Sequence, residues 1–496
     1  MRIQKLAILL LICPLYSIGQ LKITKEEAKE DIVWLEKALE YVHPRIYKYN
    51  TKKSFDSIFG KAHKKIEASN NSILAIDVLS EVSKINAHVN CGHLYTIPQF
   101  ELEQEILAKK VMPFHVKILQ DEIFIINDCS DAAGKLNGAK LLTVNGKSSA
   151  TILQEMKEGI ATDGYIDTRK NRLIEHYFST TYYGFDLYYY LHVDRSQTFQ
   201  IEYEEHGSKE IKKVTLSGIS SSDRANILLK KYHVDERIWF KTPSPRFEIS
   251  DSNRYALLTV SRSFYNAKID PDFDELLDDA FRQLKERKIP NLILDLRNNG
   301  GGSEHQQMEL ISYLYDKPFK LYDNIYLSHL DYRPLKSIII ERDSVDLVFN
   351  NDDEYMRKFS NDLWVSNYRY GKNLQLQPPK KNVFKGNLYV LINGTTFSSA
   401  GDLASDIRKT TDAVFIGEES GGTFEGPTGG ANIVVQLPNS KIMVRISPNI
   451  QMGYMYSKHP IGRGVIPDHK IVYSIDDVLR NEDLELKKVL QLIENN

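Results

Sequence analysis

Behind Thr24-Lys-Glu-Glu27, a capping box, Ile32, Leu35, Leu39 and Val42 recur at helical spacing until His43-Pro44 stops the pattern. This predicts a helix behind Thr24, within the segment from Thr24 to about Tyr49, that stops at His43-Pro44. Two further helical runs, Ser54 to about Ala68 and Ser72 to Ile85, extend the pattern to a turn-rich segment, AHVNCGHLYTIP. Residues 21–105 are therefore read as an N-terminal helical domain. From about Val111 to Gly218 the period shortens to the alternation of strands, in VMPFHVKI, DEIFIIND, AKLLTVNG, FQIEYEEHG and KEIKKVTLSG. Gly134, Gly138 and Asn145-Gly146 punctuate them, and SATILQEMKEG reads as the one intervening helix, giving a β-rich module over residues 106–220. Beyond Arg254 strands and helices alternate: YALLTVS, a helix from Pro271 to Arg287, NLILDLRNN, a helix through HQQMELISYLY, then KGNLYVLING, GDLASDIRKT and AVFIGEE after a polar insert from Asp323 to Lys385. Apolar strands alternating with helices predict a helix-covered sheet, so the fold class is multidomain α/β, with a third unit over residues 235–496.

Charge changes the picture only by exclusion. Lysine plus arginine (64) nearly balances aspartate plus glutamate (66), so no overall field recruits nucleic acid or an anionic membrane surface. The first twenty residues, MRIQKLAILLLICPLYSIGQ, combine Arg2 and Lys5 with an apolar run from Leu6 to Cys13 and small residues thereafter. They read as a signal peptide, residues 1–20, too short for a membrane span. The expectation is an exported protein, periplasmic or extracellular, with no stable membrane insertion after cleavage. Cys91 and Cys129 remain, and an oxidising compartment permits them to pair, although a chain of this size does not need the staple.

Two segments carry candidate chemistry. In NLILDLRNNGGGS an apolar strand runs into Gly300, Gly301 and Gly302, whose bare backbone suits close approach to an anionic oxygen. A phosphate loop calls for a lysine after the glycines, and Glu304-His305 stands there instead, so the oxyanion of an acyl-transfer intermediate is the better match. In NGTTFSSAGD a strand end leads into a helix start, where unpaired amides and the helix dipole favour negative charge. Ser399 is the candidate nucleophile there, with the Ala400 amide and a glycine amide from Gly300 or Gly301 as oxyanion donors. The alternative is that Ser398 or Ser399 only caps the helix.

Taken in order, LILDLRNNGGG, NGTTFSSAGD, AVFIGEESGGTFEG and GRGVIPDHKI resemble the serine peptidase family of carboxyl-terminal processing proteases and tricorn protease. The early DIVWLEKALEYVHPRIY and CGHLYT segments share the resemblance, and LNGAKLLTVNGKSSATILQEM resembles the strand and helix beside a PDZ groove. The resemblance implies a crotonase/ClpP-like ββα core, a PDZ-like module, and hydrolysis of peptide bonds through an acyl-enzyme on Ser399. Processing proteases place a lysine base in a TFGKG segment; here Thr423-Phe424-Glu425-Gly426 has none. The tricorn-like branch uses a histidine from the N-terminal side, which falls on His93 in Asn90-Cys91-Gly92-His93-Leu94. That branch also expects a glutamate near Gly-Val-Ile-Pro-Asp to orient the histidine, and Ser457 to Gly462 offers none, leaving Glu419, Glu418 and Asp468 as candidates. His88, Cys91 and His93 lie close in sequence, but without a CxxC pair or HExxH no metal is expected, nor any cofactor. The partner is a peptide or protein substrate. A non-catalytic peptide or hydrophobic-ligand binder on the same scaffold, or an esterase, are the competing readings.

Overall fold

The computed structural model describes residues 20–131, 135–178, 182–236, 238–342, 355–360, 363–455 and 457–495. The expected leader, except Gln20, lies outside them, as do Gly134 and residues 343–354 and 361–362 of the polar insert. Among the described residues no helix is long and apolar enough to cross a membrane.

The architecture is mixed α/β with several sheets. Its centre is a sheet whose strands run in the order Arg246–Ile249, Ala256–Thr259, Asn291–Asp295, Asn387–Ile392, Val414–Gly417 and His469–Lys470. The first pair is antiparallel and the others are parallel. Every residue of Asn291–Asp295 is buried, as a parallel strand covered on both faces requires. Helices Phe273–Glu286, Glu304–Leu314 and Ser399–Thr410 supply cover: Leu277, Phe281, Leu310, Ile311, Leu403 and Ile407 join Leu292, Leu294 and Val390 in one core. Each such side chain withdrawn from water contributes about 1.5–3 kcal/mol.

The capping box at Thr24 forms, and the first helix, Lys25–Val42, ends at His43 as the pattern requires. Helices Lys52–Glu67 and Ala75–His88 follow. Ser72–Leu74, read from sequence as the start of a helix, instead pairs antiparallel with Lys22–Thr24. The N-terminal helices do not close a core of their own. Ile32, Leu35, Leu39, Phe55 and Val82 pack in one cluster with Tyr332, Leu335, Val435 and Val444, which are hundreds of residues away in sequence. Strand Tyr95–Ile97 makes the join by adding antiparallel to Met443–Ile446, with Tyr95 opposite Arg445.

The middle of the chain forms an antiparallel sheet ordered Ile211–Ser217, Thr198–Glu204, Lys140–Val144, Glu122–Ile126 and His115–Leu119. Beside the expected helix Ser149–Glu158 stand two that the pattern did not announce, Asp167–Glu175 and Gly184–His192. The second is rich in aromatic residues and buries Phe185, Tyr188, Tyr189, Tyr190 and Leu191, so it lacks a polar face to mark it. The insert is more than a loop: Tyr322–Leu327 pairs with Trp364–Ser366 on one side and Asn449–Gly453 on the other. Cys91 and Cys129 are both buried free thiols.

Candidate functional site

Two strand ends and one turn meet at the site. Strand Asn291–Asp295 leads into the glycine run and Asn387–Ile392 into helix Ser399–Thr410; side chains bind the two exits together. Asn393 Oδ1 accepts from the Asn298 amide at 3.1 Å, and the Asn393 amide group donates to Asn298 Oδ1 at 2.9 Å. Thr396 Oγ1 donates to Leu296 O at 2.9 Å, and the Phe397 amide donates to Asn299 O at 3.0 Å. Gly301, at φ +90°, lies so close to the serine segment that a Cβ there would stand 2.6 Å from both Phe397 O and Ser398 Cβ. Only glycine fits that approach.

Ser398 occupies the N-cap of the helix with φ 54° and ψ −133°, a conformation that residues with side chains seldom adopt and that costs on the order of 1–3 kcal/mol. Its hydroxyl makes no capping bond. It meets His93 Nε2 instead, at 3.0 Å. Ser399, the serine singled out from sequence, is the first helical residue, is 4% exposed, and its Oγ is buried with no hydrogen-bond partner. The serine that meets His93 is thus one position before the one expected, and the cause is local. The strained backbone at Ser398 lifts that side chain out of the helix start, whereas helical geometry at Ser399 turns its side chain into the protein.

The candidate oxyanion donors shift for the same reason. The Ala400 amide is spent on Phe397 O at 3.2 Å, and that of Gly301 on Asn299 Oδ1 at 2.9 Å. Among the described residues the amides of Gly300 and Ser399 have no acceptor, and both residues line the same cleft as Ser398. An amide directly after a reactive serine, paired with one from a neighbouring loop, is a recurring arrangement for holding a developing negative oxygen.

His93 arrives from the N-terminal region on a turn closed by the Leu94 amide and Cys91 O, just before strand Tyr95–Ile97 docks on Met443–Ile446. Its ring stacks on Phe397 with centroids 4.6 Å apart. Gly92 permits this, since a Cβ there would lie 2.8 Å from the Phe397 ring. Asp163, buried, anchors the turn by accepting from the Gly92 amide at 2.6 Å. Burial, with Arg169 and Arg445 adding to it, pushes the imidazole down to about 3, so the ring is a neutral acceptor at ordinary pH. Burial also pushes the Asp163 carboxyl up to about 6, against the pull of the Gly92 amide and Arg169.

His93 Nδ1 is buried and bonds nothing among the described residues. None of the three candidate acids reaches it. Glu419 is clasped by Arg463 at 2.5 and 2.7 Å and by the Gly464 amide; Glu418 binds Arg172 and the Gly394 amide; Asp468 binds Arg408 and the Phe415 amide. All three are structural ion pairs. Glu425, where the resemblance looks for a lysine, instead binds Lys48, Tyr49 and the Gly462 amide. His88 bonds Ser54 Oγ at 2.9 Å, away from His93.

The cleft over Ser398 has a volume of about 930 Å³ and is walled by Tyr95, Phe264, Tyr322 and Gln451, with Glu304 and Asp402 on its surface. Glu304 is fixed by Tyr322, Asn373 and Gln451. Asp402 is raised well above the usual carboxylate range by burial and by neighbouring Asp406. Among the described residues no lysine lines the cleft, so the only side chain poised to take the Ser398 proton is His93.

Sequence reasoning singled out Ser399, the residue after the serine that meets His93, and did not single out Arg169. Arg169 sits on the unannounced helix Asp167–Glu175, with its guanidinium carbon 3.5 Å from the Phe397 ring centroid. Nothing in its local sequence marks it.

Residues 261–471 match the model of peptidase family S41. Among solved structures, mature CPAF complexed with lactacystin is similar at 15% identity and a TM-score of 0.59, covering 95% of this chain and 99% of that one. The cpaf s499a mutant is similar at 14% identity and the same TM-score, with 95% and 98% covered. These likenesses show a shared fold along nearly the whole chain. No curated protein sequence matches it.

Proposed function

From the match of residues 261–471 to the model of peptidase family S41 we propose that this chain is a serine-type peptidase of that family, cleaving peptide bonds through an acyl-enzyme on Ser398. The observation that carries the reading is the 3.0 Å contact between Ser398 Oγ and His93 Nε2. His93 takes the hydroxyl proton as Ser398 Oγ attacks the carbonyl carbon, and the amides of Ser399 and Gly300 receive the carbonyl oxygen as it becomes negative. The imidazolium then gives its proton to the departing amine. Water, deprotonated by the same imidazole, attacks the ester carbon in its turn, and the proton returns to Ser398.

Stacking on Phe397 and the Gly92 turn hold the ring in place of an orienting carboxylate. A base of this kind is neutral but weak, which favours modest turnover over none. The leader-like first twenty residues support export before the enzyme acts.

Turnover of a mixed library of internally quenched peptides, and of a simple acyl ester, tests the reading. We expect the wild type to cleave peptides and the Ser398→Ala and His93→Ala proteins to lose at least about 1,000-fold. Peptide binding with no cleavage would point to the binding-module reading. Turnover of the ester alone would point to an esterase.

A further inference from the structure

Beside Gly92, Leu94 and Tyr95, the chain neighbours of His93, lies a second cavity of about 400 Å³. Leu79, Leu94, Ile97, Leu187 and Leu191 make much of its wall, and Arg169, Arg445 and Tyr95 stand together in it. Arg445 and Tyr95 line both spaces, so the cavity adjoins the cleft over Ser398.

Arg169 is only 4% exposed, yet its Nε and Nη1 bond nothing among the described residues. Its neighbours are the Tyr95 hydroxyl and the face of Phe397. Arg445 lies over Tyr95, 5.4 Å from the ring centroid, and has no ion pair among the described residues. The carboxylate on the wall, Glu103, pairs with neither arginine. Arg169 is withdrawn from water with Asp163 as its carboxylate neighbour and two of its N–H groups unbonded, and half-buried Arg445 adds a second positive charge at the same chamber, so the chamber is electrostatically and geometrically suited to an anion. A planar fork of N–H donors matches a carboxylate in a bidentate fashion, and the leucine and isoleucine wall matches an aliphatic body of ordinary ligand size.

We propose that this cavity binds an amphiphilic carboxylate, its head on Arg169 and Arg445 and its apolar body among Leu79, Leu94, Leu187 and Leu191. The shared chemistry is met by a free medium-chain fatty acid or by a peptide chain end with apolar final residues. The site stands on its own geometry, and its occupancy is measurable whether or not Ser398 reacts. Its effect on the base rests on the peptidase reading. The two guanidiniums oppose a positive charge on His93, and a bound carboxylate offsets them, so occupancy raises turnover.

Calorimetric titration of the Ser398→Ala protein with octanoate, with octanamide as the neutral control, tests the site directly. We expect saturable binding of octanoate at one site, at least about 10-fold weaker binding of octanamide, and a loss of about 10- to 100-fold for octanoate in Arg445→Gln. Leu187→Trp, which fills the chamber without touching the charges, is expected to abolish binding, and it serves as the second variant where Arg445→Gln does not fold. A hexapeptide with apolar C-terminal residues, compared as free acid and amide, separates the sources. Preference for the acid over both the amide and octanoate identifies a chain end, and octanoate binding without that preference identifies a free carboxylate. No octanoate binding, equal affinity for octanamide, or affinity untouched by both variants would overturn the proposal.

Discussion

His93 Nε2 lies 3.0 Å from Ser398 Oγ although 305 residues separate them in the chain. The contact is held from both ends. Strand Tyr95–Ile97, pairing with Met443–Ile446, fixes the histidine, and the cross-linked exits of strands Asn291–Asp295 and Asn387–Ile392 fix the serine. The helices that deliver His93 share a core with Val435 and Val444, so the pair is part of the fold and not a chance meeting of two surfaces.

The two adjacent serines are expected to behave oppositely. Ser398→Ala removes the attacking oxygen. Ser399→Ala removes a buried hydroxyl that bonds nothing, keeps the backbone amide, and leaves activity within a few-fold. Its melting temperature should stay level or rise, because a buried unpaired hydroxyl costs about 1–3 kcal/mol to desolvate. Parallel kinetics and thermal melts of the two variants check this.

The pH dependence of kcat/KM should lack an acid limb near the ordinary histidine value. With burial first, and Arg169 and Arg445 after it, pushing His93 down to about 3, the base stays neutral from weakly acidic to alkaline solution. A profile measured from pH 4.5 to 8.5 on a peptide without titrating groups decides it. A single acid limb at about 6.5 that moves on substitution near His93 would count against a desolvated ring.

Asp163 gives a pH dependence of stability with a definite sign. Its carboxyl stands near 3.8 unfolded and about 6 folded, so the folded state binds more protons between those values. Its stabilising contribution is complete below the unfolded value and is lost as pH rises through about 6. Asp163→Asn keeps an oxygen for the Gly92 amide and removes that loss, so the variant should gain up to about 3 kcal/mol at pH 7.5 and nothing near pH 3.5. Denaturant titrations at both pH values measure the difference.

Two glycines should be irreplaceable for different reasons. In Gly301→Ala a methyl collides with Phe397 O and Ser398 Cβ from a residue at φ +90°, so both activity and melting temperature should fall. In Gly92→Ala the methyl meets the Phe397 ring, which shares its stack with His93, so kcat should fall by more than 10-fold with less effect on KM. Steady-state kinetics and melts of the folded variants separate the two.

Glu419, one of the three carboxylates nominated from sequence, should be structural. Glu419→Gln weakens the clasp on Arg463 and the Gly464 amide, so its melting temperature drops while the pH profile of kcat/KM keeps its shape. A changed profile with unchanged stability would restore Glu419 as a partner of the base.

What the sequence made legible divides along physical lines. Capping at Thr24, the alternation of apolar strands and helices after Arg254, and the tandem of a glycine run and a serine-bearing helix start are local patterns, and each reappears in the structure. Which of two neighbouring serines faces the histidine depends on one backbone angle pair at Ser398, which composition and spacing do not encode. The helix carrying Arg169 stayed hidden, as did the shared core between the N-terminal helices and strands 433–446, because both arise from contacts across the chain. The same holds for the candidate acids: Glu418, Glu419 and Asp468 are chemically fit to orient a histidine, and only their arginine partners reveal what they do.

The central claim, that Ser398 and His93 form the reactive pair, is tested most directly by labelling the purified protein with a fluorophosphonate probe and mapping the modified residue by mass spectrometry. The account predicts label on Ser398, retained in Ser399→Ala and lost in both Ser398→Ala and His93→Ala. Label on Ser399, or label on Ser398 that survives His93→Ala undiminished, would contradict it.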